Sequence, residues 1–185
     1  NGLVGLQLAP HGWMATLPVM GYVVGGALSA PLVARTQARF GRKGSFQIGL
    51  AVALGSALLA AHAAQSRQFW LLLAATVIAG YYNANGQLYR FAAAELVKPD
   101  WREKAVSLVL AGGLLGGIIG PNLAAWTRAL LPTPFVGAYL ALAVVALIAM
   151  GVMALIQFPP VHASTAHAPQ GRPLAQIMRQ PVFIV

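Results

Sequence analysis

The stretch KAVSLVLAGGLLGGIIGPNLAAWT, residues 104–127, decides the fold. Between Lys104 and Arg128 it carries no charge. At ~1.5 Å per residue it is long enough, as a helix, to cross a ~30 Å hydrocarbon layer. A helix in water would show a polar face every 3.6 residues, and this stretch has none. Glycine takes its place. Gly112, Gly116 and Gly120 fall four apart, with Gly113 and Gly117 beside them, so one broad side lacks side chains. Such spacing lets two backbones approach closely in lipid, where burying apolar surface gains little. Pro121 cannot donate to the Gly117 carbonyl and is expected to kink or loosen the helix. The expectation is a spanning, tightly packed, bendable helix.

The rest of the chain agrees with a membrane protein. Of 185 residues, 58% are hydrophobic and only 8% charged, where a soluble domain carries about a quarter charged. The chain opens on Asn1 and closes on the apolar run PVFIV, which reads as an internal piece of a longer protein, so no targeting segment can be judged. Cysteine is absent, which excludes disulfides and thiolate metal sites. The net charge of +9 sits in short clusters between apolar runs rather than on a basic face interleaved with aromatics. Nucleic acid is therefore not an expected partner, and the charge is read as topology.

In order, residues 1–8 read as the end of a first span and 9–12 as a turn. A second span covers 13–34, with Gly21, Gly25 and Ser29 four apart and Pro18 and Pro31 as kink sites. A basic loop follows at 35–44, a third span at 46–65, and a minimal turn at 66–68. The fourth span is placed at 69–93 and a charged loop at 95–104, where Asp100 and Glu103 fit an N-cap and capping box. The glycine helix is the fifth span, 128–134 a turn, and 135–158 a sixth, wholly apolar span. Residues 1–158 form one bundle, 159–180 a linker, and 181–185 the start of a seventh span.

Ten Lys and Arg residues fall in the loops after spans two, four and six, against Arg67 and Arg128 on the other side. The positive-inside rule puts those three loops in the cytoplasm and the protein in the inner membrane as a multi-pass chain. Spans two and five share small residues at four-residue spacing plus a proline, yet run in opposite directions. That is a weak sign of the inverted repeats found in secondary transporters; small-xxx-small spacing also occurs in membrane helices of every kind.

At three places the chain resembles the major facilitator superfamily. Arg39-Phe40-Gly41-Arg42-Lys43 looks like the end of the loop motif G-x-x-x-D-R-x-G-R-K. Gly116 to Pro121, GGIIGP, looks like the fifth-span G-x-x-x-G-P of the antiporter and drug-exporting branches. PDWREKA at 99–105 resembles the loop between spans four and five. The resemblance implies an all-α membrane fold: the six-helix N-terminal bundle of that family, built from 3+3 inverted repeats and here truncated at both ends. It also implies that spans one and four line the pathway while three and six lie outside. The departures are Ala34 and Ala38 in the loop motif, Thr76 where the antiporter pattern has an arginine, and Ala124-Ala125 after the Gly-Pro.

Span four is the one span rich in polar groups at mid-depth. On a 100° wheel Tyr81, Tyr82, Asn85 and Tyr89 share a sector, with Asn83, Gln87 and Arg90 opposite. Amides and phenols in hydrocarbon are costly unless paired or wetted, so one face lines a cavity and the other packs on a neighbour. Tyr81, Tyr82, Asn85 and Tyr89 are assigned to a partly apolar or cationic organic solute, through stacking and cation–π contact. Interhelical hydrogen bonding is the competing account. Arg90 would snorkel to headgroups or pair with Glu95. Asn122 would cap carbonyls freed by Pro121 or face the pathway. Gly112, Gly116, Gly120 and Pro121 are assigned to packing and rocking. Arg39, Gly41, Arg42 and Lys43 are assigned to a cytoplasmic gate, with a topology anchor as the plainer account.

No metal-ligating cluster or cofactor is expected, since His11, His62, His162 and His167 form no close pair on a helix. The three acids, Glu95, Asp100 and Glu103, all flank one loop, so no span carries a carboxylate. No nucleophile–base pair or phosphate loop is present, and the chain is not read as an enzyme. The expected function is secondary transport of small organic solutes, as proton-coupled efflux. It would be performed by rocking against a C-terminal half of the same chain. The alternatives are an importer or facilitator on the same fold, and a non-transporting sensor or assembly protein.

Overall fold

A computed structural model describes residues 2–158; the expected linker, the start of a seventh span, His162 and His167 lie outside them. Among the described residues the chain is helical throughout, with no strand. Helix α1 is Gly2–Leu8, followed by a 3-10 turn at Gly12–Thr16. Then come α2 (Leu17–Gln65), α3 (Phe69–Gly86) and α4 (Tyr89–Glu95). A second 3-10 turn at Pro99–Trp101 leads into α5 (Arg102–Thr127), and α6 is Val136–Leu155.

By length and hydropathy three helical stretches can cross a membrane: Gly12–Gln65, Pro99–Thr127 and Val136–Leu155. Helix α3 misses that group because two tyrosines and two asparagines occupy its last turns. Large apolar side chains point outward over much of the molecule, with Leu114 at 74% and Leu155 at 82% exposure. A surface of that kind is stable against lipid and aggregates in water.

The basic segment 35–44 is not the loop that its charge suggested. It is helical on both sides of a single residue, Gly41, whose φ of 70° and ψ of −178° fold the two halves of α2 back on each other. That backbone region is open essentially to glycine alone. Arginine, glutamine and alanine are good helix formers, so the helix runs up to the bend and resumes after it. The expected fourth span also divides. Helix α3 ends at Gly86 and α4 begins at Tyr89, the turn being closed by Gln87 N–H to the Asn83 carbonyl (3.3 Å) and Leu88 N–H to the Asn85 carbonyl (2.9 Å).

Two smaller expectations also change. Helix α5 starts from Trp101 with no side-chain cap, since Asp100 lies inside the 3-10 turn and the capping box does not form. Pro121 does not interrupt α5, which stays helical through Thr127. Asn122 Nδ2 donates to the Ile118 carbonyl at 2.7 Å, satisfying a group one position on from the carbonyl that Pro121 leaves free.

Both halves of α2 pack on α3, and α6 packs on α2. The core is fine-grained: Val4, Ala60, Ala63, Ala64, Leu72 and Tyr139 meet where α1, α2, α3 and α6 converge. In the first half of α2, Gly21 and Gly25 face α3. A methyl on Gly25 would run into the Val77 carbonyl, and one on Gly80 into the backbone of Gly25 and Gly26. Here small-residue spacing does what it does in lipid, bringing backbone onto backbone. Helix α5 has no buried residue, and its glycines at 112, 113, 116, 117 and 120 meet nothing within 4 Å among the described residues.

Candidate functional site

The polar residues cluster where the Gly41 bend meets the ends of α3 and α4. Tyr81 Oη lies 2.7 Å from Thr36 Oγ1, which lies 3.1 Å from Ser45 Oγ, and Ser45 donates to Asn85 Oδ1 at 3.1 Å. Each hydroxyl has one proton. Thr36 has the Val33 carbonyl at 2.9 Å as an acceptor and Ser45 spends its proton on Asn85, so the Tyr81 phenol donates to Thr36. The ladder ties both arms of the bend to α3. Asn85 is fully buried, its Nδ2 is without a partner among the described residues, and it sits against Gly49. Tyr89 stands edge-on to Phe46 (4.6 Å between centroids, 70°) with its hydroxyl buried and unpartnered among the described residues.

The structure thus divides the four residues that share a sector on the wheel. Tyr81 and Asn85 face the arms of α2 and make interhelical hydrogen bonds, and Tyr89 packs on Phe46. Tyr82 faces the other way, onto α6. It lines a chamber of about 280 Å³ with Tyr22, Tyr139 and small apolar residues of α2, α3 and α6. Two further hydroxyls on that wall are spent within their own helices, Ser56 on the Ala53 carbonyl and Thr76 on the Leu73 carbonyl. The reason the wheel misleads is geometric: a common sector means a common direction only along an unbroken helix, and α2 covers the Tyr81–Asn85 side.

The opposite side of α3 opens onto a second space. Asn83 and Gln87 line a groove of about 500 Å³ with Gly26, Ala30 and Gln37 of α2. The sequence pattern singles out the amides of Asn83 and Gln87 but not Thr36 and Gln37, which lie in the stretch expected to be a loop, nor Ser45 at its edge. A period of 3.6 continued through 35–40 would have placed Thr36 and Gln37 on α2.

At the basic end, Arg42 clasps Glu95 through two hydrogen bonds, Nη2 to Oε1 at 2.6 Å and Nε to Oε2 at 3.1 Å. Arg42 Nη1 also donates to Gln37 Oε1 at 2.7 Å. Lys43 Nζ donates to the Ala154 carbonyl at 2.7 Å and Gln47 Nε2 to the Met150 carbonyl at 3.0 Å, so the last turn of α6 is pinned to the bend. Arg39 lies over its neighbour Phe40 and joins none of this. Glu95 takes Arg42 rather than Arg90 as its partner; Arg90 lies over the Phe91 ring at 4.9 Å. The described residues hold no group of three His, Asp or Glu that could bind a metal.

With this geometry in place, likeness to known proteins can be weighed. The sequence profile of the major facilitator superfamily matches residues 4–185. The chain belongs to the major facilitator superfamily. Within it, the chain is 36% identical over its whole length to the riboflavin transporter RfnT of Brucella anthropi, of which it covers 47%. It is also 32% identical, over 60% of its length, to the MFS-type transporter YddS of Bacillus subtilis, of which it covers 25%. The chain thus spans about half the length, or less, of the curated relatives it matches. No solved structure matches it. Membership places it among membrane transporter proteins rather than enzymes.

Proposed function

We propose that this chain is the first half of a two-bundle secondary transporter that carries a flat, hydrogen-bonding organic solute of the riboflavin kind by alternating access. The observation that carries the reading is the 36% identity with a riboflavin transporter across all of the chain. The chain crosses the inner membrane six times as a 3+3 inverted repeat, with its basic end in the cytoplasm. Arg42, Lys43 and the bend at Gly41 act there as the gate, with Arg39 alongside. Gly112, Gly116, Gly120 and Pro121 form the surface on which the rest of the transporter rocks. Tyr82 lines the apolar chamber beside the solute's path, Tyr81 and Asn85 hold the α2–α3 seam, and Tyr89 braces α4 on Phe46.

The test is counterflow. Full-length protein is reconstituted in vesicles loaded with unlabelled riboflavin, and labelled riboflavin is added outside. Saturable accumulation that excess cold solute abolishes is the expected result. Absence of exchange in vesicles shown to hold folded protein would overturn the riboflavin reading.

Proton-coupled efflux is a second reading, favoured by the tract GGIIGP at 116–121. It requires that solute movement collapse an imposed pH gradient. The absence of a carboxylate from the apolar runs present in this chain, and Thr76 in place of an arginine, favour an uncoupled carrier. Solute exchange with no proton movement would settle for the carrier.

A further inference from the structure

We propose that the solute is held by the amides of Asn83, Gln87 and Gln37 in the groove between α2 and α3, and that this groove selects a neutral solute rather than a cation. The inference rests on the transport reading above and names the contacts of that site. Four observations carry it. First, the Tyr81–Asn85–Tyr89 side of the polar helix is engaged by α2: Tyr81 and Asn85 bond to Thr36 and Ser45, and Tyr89 packs on Phe46. Second, the side chains of Asn83 and Gln87 make no hydrogen bond among the described residues, yet both border the groove. An amide left dry and unpaired is costly, so such groups belong where water or a ligand answers them.

Third, Gln37 is held in one orientation. Arg42 donates to its Oε1, which leaves Nε2 as an unpartnered buried donor on the groove wall. Fourth, the wall is shaped around Asn83. A methyl on Gly26 would lie 2.9 Å from Asn83 Nδ2, so a larger residue there would push that amide from its place.

The groove is otherwise lined by Ala, Val and Leu and holds no charged residue, while the guanidinium of Arg42 sits directly behind Gln37. A cation entering it would find no counter-charge on the wall, since Glu95, the carboxylate nearest Gln37 through Arg42, is already taken by Arg42. Primary amides both donate and accept, and so match a ring imide or a chain of hydroxyls, groups that riboflavin carries. The 280 Å³ chamber beside Tyr82 offers an aromatic, mostly apolar wall and little of this chemistry. The groove differs from the assignment of a partly apolar or cationic solute to Tyr81, Tyr82, Asn85 and Tyr89, and cysteine labelling separates the two.

The chain has no cysteine of its own, which makes the test direct. Single cysteines are placed at Gln37, Asn83 and Gln87, and at Ser45 and Asn85 as controls, in full-length protein whose other cysteines are replaced. A charged methanethiosulfonate reagent is applied with and without riboflavin or tetraphenylphosphonium, and riboflavin counterflow is measured in the same vesicles. Expected are reaction at 37, 83 and 87 slowed several-fold by riboflavin and not by the cation, and no reaction at 45 and 85. Fast reaction at 85 with none at 83, or reaction at 83 and 87 that riboflavin leaves unslowed while counterflow proceeds, overturns the groove. Equal protection by the cation overturns the selectivity. A failure of the transport reading shows separately, as vesicles with no counterflow before any substitution.

Discussion

Two regions of this molecule carry the same sequence pattern and put it to different use. Along the α2–α3 seam, Gly21, Gly25 and Gly80 bring backbone onto backbone, and a single methyl at Gly25 or Gly80 would collide with main-chain atoms. On α5, Gly112, Gly116 and Gly120 repeat the spacing more strictly, yet none meets anything within 4 Å among the described residues. Small-xxx-small spacing is therefore a licence for close approach and not a record of it. Which stripe is used depends on which helix arrives, and the pattern on one helix cannot name its partner.

The largest expected effect lies at the seam. Gly25→Leu should cost about 3 kcal/mol or more, the upper end of overpacking, because backbone cannot move aside. Loss of monodisperse protein on solubilisation is the readout, and near-normal yield and Tm would show that the seam yields. Gly116→Leu sharpens the contrast. It should leave yield and insertion unchanged but stop transport by the full-length protein, and unchanged transport would mean that the stripe faces only lipid.

Next comes Ser45→Ala, which takes the donor from Asn85 Oδ1 in a site with no water contact. A loss of about 1–3 kcal/mol is expected in unfolding by denaturant. A neutral result would mean that the ladder is not what holds the bend to α3. Gly41→Ala forces an L residue into φ 70°, ψ −178°, at a cost of about 1–3 kcal/mol; Tm in detergent reads it. Smallest is Glu95→Gln. The Arg42–Glu95 side chains are 25% and 45% exposed, so the clasp contributes at most about 1 kcal/mol to stability and less in high salt. A Tm difference that persists unchanged at high salt would contradict that.

Much of the architecture was legible in the sequence because lipid imposes severe rules. Long uncharged runs must be helical, so α5 and α6 fall within a few residues of the apolar runs that announce them. The places that misled are those where a local rule met a tertiary option. Arg35, Arg39, Arg42 and Lys43 read as a loop because charge leaves the membrane, yet the backbone there stays helical and turns at Gly41 alone. Asp100 and Glu103 matched a capping box, but a 3-10 turn starting at Pro99 displaced the cap to Trp101. Glu95 had Arg90 nearby in sequence and took Arg42, 53 residues away, because the bend delivers that guanidinium to the end of α4.

The sequence by itself determined that this chain is a membrane protein of long apolar helices, without cysteine and with its three carboxylates confined to residues 95–103. Those properties follow from composition and from the length of apolar runs, which no packing arrangement can alter. Only the tertiary structure decided which face of the polar helix α2 engages and which borders the groove. A helix wheel gives directions relative to the helix itself, whereas exposure depends on where a neighbour lies. The two arms of α2 cover Tyr81 and Asn85 and leave Asn83 and Gln87 bordering the groove.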